Sequence, residues 1–110
     1  MNYSLKVGVC IVMTEEIEKI LQVVCRVFNA VKLPVVITSG VDGPHRENSL
    51  HGKFRAIDIR KIFPDWELSE TWSIHHDYIR NALYCLFREM NYPVIVVEES
   101  DHIHMEWRDI

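Results

Sequence analysis

The chain has 110 residues, 48% of them apolar, which is enough to bury one core and so to make a single domain over 1-110. Its formal charge of -4 mixes 16 acidic with 12 basic side chains and contains no basic block, so the electrostatic footprint of a nucleic-acid binder is missing. The longest apolar run near the N-terminus, Val7 to Met13, is too short to span a bilayer, and acidic Thr14-Glu15-Glu16 stands where a signal peptide would carry small residues.

No signal peptide is evident, so the chain is expected to be made in the cytoplasm. A substrate outside the cell would have to be reached through lysis, a holin-like route or fusion to another protein. Cys10, Cys25 and Cys85 are odd in number, widely spaced and set among apolar residues, with no CxxC pair. They read as buried free thiols.

In chain order, Leu5 to Met13 reads as a short strand or an extended lead-in. Thr14 is placed to cap a helix running to about Val31, with Glu15, Glu16 and Glu18 in its first turn. Ile17, Ile20, Leu21, Val24, Val27 and Phe28 recur at three- and four-residue spacing, the stripe of a helix packed on a core. Pro34 opens the β-branched run Val35 to Thr38, which ends at Ser39-Gly40.

Gly40 to Gly52 is rich in Gly, Asp, Asn, Pro and His and reads as one long loop. Ala56 to Ile62 is the next strand, with Ile57 and Ile59 on one face and Ala56, Asp58 and Arg60 on the other. Pro64-Asp65-Trp66 marks a turn, and Ser69 is taken as the cap of a second helix whose stripe is Ile79, Leu83, Leu86, Phe87 and Met90. Asn91 ends that helix, Pro93 precedes the strand Val94 to Val97, and a last strand carries His102, His104 and Glu106 on one face. The pattern predicts an α+β domain, a small, largely antiparallel sheet with helices on one face and a polar site on the other.

Two stretches carry the chemistry. A catalytic zinc takes three N or O side chains and leaves a fourth position to water; His51, Asp58 and His104 supply that set, and Asp101 is left over as a base. His51 and Asp58 are seven residues apart, an odd separation, so they do not share a face of one strand. His51 must belong to the loop, folding back beside Asp58 through a turn that Gly52 permits. His75 and His76 point about 100° apart on a helix and stay outside the site.

His102 shares a face with His104 and reads as a fourth ligand, an oxyanion contact or a neighbour, with a substrate or supporting contact preferred. Glu106, next on that face, suits a hydrogen bond to a ligating imidazole. Glu98 and Glu99 read as solvated, and Trp66, Trp72 and Trp107 as core or rim packing.

Ile37-Thr38-Ser39-Gly40, then Ser49-x-His51 with Ala56-x-Asp58, then Asp101-x-x-His104, resembles the zinc peptidases of the M15 family in order and spacing, over Pro34 to Trp107. That family includes D-alanyl-D-alanine carboxypeptidases and the L-alanyl-D-glutamate endopeptidases of phage endolysins, which share the hedgehog/DD-peptidase fold. The resemblance implies one zinc ion (Zn2+) on His51, Asp58 and His104, Asp101 as the catalytic acid/base, Ser49 as a supporting contact, and hydrolysis of a peptide bond in peptidoglycan stem peptides by zinc-activated water.

Two positions depart from the family pattern. Phe54 stands where the family has glycine, and Val41-Asp42 follows Ser39-Gly40 where the family carries an arginine. Arg46, with Arg55 as the alternative, is the candidate for the missing oxyanion contact. A zinc-binding module of the same fold that grips a peptide or protein without cutting it is the rival expectation, and a metal-free interaction domain is a more distant one.

Overall fold

The computed structural model describes residues 1–40 and 55–108. Its elements are β1 (Ser4–Leu5), α1 (Glu15–Ala30), β2 (Val36–Ser39), β3 (Ala56–Arg60), α2 (Trp66–Glu89), β4 (Val94–Glu98) and β5 (His102–Trp107). The strands form one mixed sheet in the order β1-β2-β3-β5-β4. β1 runs parallel to β2, whereas the β2–β3, β3–β5 and β4–β5 pairs are antiparallel. The described residues form an α+β domain with two helices and a small sheet.

Each helix starts where a side-chain oxygen satisfies the amides left free by the helical pattern. For α1 that oxygen is Thr14 Oγ1, 3.2 Å from the Ile17 amide, beside the acidic first turn. For α2 it is Asp65 Oδ1, accepting from the Glu67 and Leu68 amides at 2.8 and 3.2 Å. The expected cap, Ser69, lies instead inside the first turn of α2, where its hydroxyl donates to the Phe63 carbonyl at 2.8 Å. Asp65 prevails because its carboxylate reaches two amides at once, and such a cap contributes about 1 kcal/mol.

Alternation along the strands sorts the residues into layers. Ile57 pairs with Met105 and Ile59 with Ile103, and all four are buried. They join Ile17, Ile20, Leu21, Val24 and Phe28 of α1 and Ile79, Leu83 and Phe87 of α2 in one core. Each such side chain contributes about 1.5–3 kcal/mol by leaving water. The intervening residues, Asp58 opposite His104 and Arg60 opposite His102, therefore fall on the face turned away from that core.

Several expectations are corrected. The first strand is Ser4–Leu5, followed by a turn closed by the Val9 amide on the Lys6 carbonyl, with Gly8 at φ +88°, so Lys6 to Met13 is not a strand. Met90 is half exposed at the end of α2, and Trp72 takes a place in the core stripe instead. Trp66 is exposed, while Trp107 is buried and packs against Tyr92 with ring centroids 5.2 Å apart. Cys10 and Cys85 are exposed rather than buried, and Cys25 is half-buried; all three are free thiols. An apolar neighbourhood in sequence does not fix direction on a helix face, which is why the reading of Cys85 fails.

Candidate metal centre

β3 and β5 bring together two residues that lie 46 positions apart in the chain. Asp58 and His104 are direct partners across the antiparallel ladder. Their side chains project from the same face, and Asp58 Oδ1 lies 2.8 Å from His104 Nδ1. Both are largely shielded, with side chains 13% and 22% exposed, so the contact competes only weakly with water. The hydrogen bond to Asp58 raises the His104 pKa above its usual value, against an opposing push from burial, and the charges of Asp58 and Glu106 add to the rise.

The pair lies in a row of alternating acids and bases. Toward the start of β5, His102 Nε2 lies 3.6 Å from Asp58 Oδ2, and His102 Nδ1 lies 2.7 Å from Asp101 Oδ1. Toward its end, His104 Nε2 lies 3.4 Å from Glu106 Oε1, which in turn lies 3.3 Å from an Arg108 guanidinium nitrogen. His102, His104 and Glu106 share the face because they alternate with core-facing Ile103 and Met105. Asp101 sits at the bend before β5, largely open to solvent. Its hydrogen bond to His102 holds its carboxyl below the usual carboxylate range, so it is ionised at neutral pH.

No protein-family model matches the chain, and comparisons with curated proteins and with solved structures likewise find no match.

Of the expected ligands, Asp58 and His104 are neighbours, while His51 lies outside the described residues, as do Ser49 and Arg46. Among the described residues no three His, Cys, Asp or Glu side chains form a group able to hold a metal. The donor chemistry of the pair nonetheless suits zinc. Two donors on one tetrahedral zinc stand roughly 3.3 Å apart, given bonds of about 2.0–2.2 Å, so carboxylate and imidazole need only a small side-chain adjustment to share an ion. A third donor from outside the described residues would complete the set.

The alternative arginine, Arg55, precedes β3 and receives the Trp107 amide on its carbonyl at 2.9 Å. It stands at the opposite end of β3 from Asp101 and His102. Those two residues instead border a cavity of about 330 Å³ lined also by Lys6, Thr38 and Arg60. The strand pattern already puts Arg60 on the face of Asp58, two residues further along β3, but gives it no role at the site. Lys6 reaches the site only through the parallel pairing of β1 with β2, which no local pattern announces.

Glu98, expected to be solvated, pairs with the buried Lys61 at 3.1 Å. His75 and His76 lie on α2, where His76 packs against Trp72 at 6.2 Å between ring centroids. Larger hollows lie elsewhere, one of about 640 Å³ between the end of α2 and β4, but they hold none of the acid–base row except Arg108.

Proposed function

We propose that this chain is a zinc-dependent peptidase of the M15 type, cutting a peptide bond in peptidoglycan stem peptides. The observation that carries the reading is the meeting of Asp58 and His104 across β3 and β5, with Asp101 and His102 joined at its flank. His51, Asp58 and His104 would hold the ion. Zinc, when bound, would polarise the scissile carbonyl and lower the pKa of a water to about 7.

The chain's own groups supply the remainder. Asp101 is ionised and exposed, so its carboxylate takes the proton of the attacking water and returns it to the leaving amine. His102, whose Nδ1 lies 2.7 Å from Asp101 Oδ1, orients that carboxylate. Glu106 faces His104 Nε2 and fixes the ring's rotation, with Arg108 holding Glu106 in turn. Arg46 is the residue assigned to the developing oxyanion. Ser49 is assigned a supporting contact.

The test is a peptidoglycan digest analysed by mass spectrometry, with and without chelator. Released stem-peptide fragments that vanish on chelation and on Asp101→Ala support the reading. Stoichiometric zinc without any cleavage would favour the second reading, a binding module of the same fold, which the Val41-Asp42 departure motivates.

A further inference from the structure

Strand β4 closes the sheet on one side, and little in its sequence protects that edge. Edges are usually blunted by shortness, by charge or by a proline within the strand. The opposite edge, β1, has two residues, but β4 runs Val94-Ile95-Val96-Val97-Glu98. Hydrogen bonds at the two ends of β4 fix which backbone groups face outward. The Arg108 amide donates to the Pro93 carbonyl at 2.7 Å, and the Glu99 amide donates to the His102 carbonyl at 2.8 Å. The alternation of an antiparallel ladder then turns Ile95 and Val97 toward β5 and leaves the amides and carbonyls of Val94, Val96 and Glu98 pointing away from it. Two of these groups are used within the chain, the Val94 amide by the Tyr92 carbonyl at 2.8 Å and the Val96 carbonyl by the Tyr84 hydroxyl at 3.1 Å. A carbonyl oxygen has a second lone pair, so Val96 can still accept from a neighbouring strand.

The charges along this edge run from basic to acidic. The cavity of about 640 Å³ at its start is walled by Arg88, Arg108, Pro93 and Val94 and, among the described residues, by no carboxylate. Arg108 already holds Glu106, whereas Arg88 is exposed and has no ion-pair partner among the described residues. Beyond the apolar run come Glu98, paired with Lys61, and Glu99, exposed and likewise without an ion-pair partner among the described residues.

We propose that β4 pairs antiparallel with β4 of a second copy of this chain, about a two-fold axis at Val96. In that register Val96 exchanges backbone bonds with its counterpart, and the Glu98 amide meets the Val94 carbonyl of the other copy. Glu98 and Glu99 of the second copy come opposite Val94 and Pro93, at the rim of the arginine-walled cavity. Val97 and Ile95, 39% and 37% exposed, become neighbours across the junction. The strand is thus complementary to itself in one direction only, since parallel pairing would lay the acids of one copy beside those of the other. The two sheets become one, with both Asp58–His104 pairs on the same face. This inference rests on the strand edge and is independent of the peptidase reading.

The test is sedimentation velocity of the full chain in chelator, so that no shared metal joins two copies, over roughly 1 μM to 1 mM. The mass should climb with concentration toward twice the 13.0 kDa of one chain. Arg88→Glu and Glu99→Arg should each weaken the dimer at least about 10-fold, because each places like charges together at both ends of the junction. An equimolar mixture of the two variants should regain the wild-type dimer, since every altered side chain then faces its opposite. In wild-type protein, amide hydrogen exchange at Val96 and Glu98 should slow as the concentration rises, while Ile95 and Val97, bonded to β5, should change little. A monomer at every concentration, a dimer that neither reversal weakens, a mixture that stays monomeric, or unchanged exchange at Val96 and Glu98 in the dimer would each overturn the proposal.

Discussion

Replacing Asp58 by Asn keeps the shape of the side chain and removes the charge that faces His104. In the metal-free protein the 2.8 Å contact is an imidazolium–carboxylate hydrogen bond whenever His104 is protonated. Hydrogen bonds to charged groups contribute about 1.5–3 kcal/mol, and the residual exposure of His104 argues for the lower end, about 1.5 kcal/mol. Because Asp58 raises the His104 pKa above its unfolded value of 6.5, this contribution is fully present below pH 6.5 and fades as the pH climbs through the raised value.

The assay is a double-mutant cycle of Asp58→Asn and His104→Ala, followed by urea unfolding in the presence of chelator. At pH 5.5 the coupling energy should be about 1.5 kcal/mol, which for a domain of this size displaces Tm by roughly 5–10 °C. At pH 9 it should be much smaller. A coupling near zero at pH 5.5, or one that grows with pH, would refute the reasoning.

Gly40→Ala should destabilise by about 1–3 kcal/mol in thermal unfolding, because a methyl group there would collide with the Cys10 carbonyl oxygen and lie 2.7 Å from Ile11 Cγ2. Glu98→Gln should cost about 1–2 kcal/mol, since the Lys61 ammonium, its side chain 11% exposed, would lose its charged partner; the same change in Glu99 should be neutral. Under a thiol reagent at pH 8, Cys10 and Cys85 should be modified quickly and Cys25 slowly, because burial pushes the Cys25 thiol pKa up and its Sγ donates to the Asn2 carbonyl at 3.4 Å.

Where a periodic pattern meets a one-sided sheet, local sequence determines much of what is seen. The α1 stripe from Ile17 to Phe28 and the Thr14 cap follow from spacing and hydroxyl chemistry alone. The period of two in Ala56 to Arg60 and His102 to Trp107 is enough to send Asp58, His102, His104 and Glu106 to the face opposite Ile57, Ile59, Ile103 and Met105. What periodicity leaves open is pairing. That Asp58 stands directly opposite His104, and that Arg60 therefore stands opposite His102, is a matter of register between strands more than forty residues apart.

The Lys6 position depends on β1 joining β2 in parallel, a non-local choice made by a strand of two residues. Capping shows the opposite failure. Both Asp65 and Ser69 are good caps in isolation; Asp65 prevails because it reaches two amides, and the Ser69 hydroxyl is left to donate to the Phe63 carbonyl.

Zinc-edge X-ray absorption on protein loaded with one equivalent of zinc tests the central claim most directly. The account predicts stoichiometric binding with a shell of nitrogen and oxygen donors at about 2.0–2.2 Å, imidazole scattering from two histidines, and loss of the site in both Asp58→Ala and His104→Ala. A sulfur shell, a single-histidine signal, or zinc retained unchanged in both variants would contradict it.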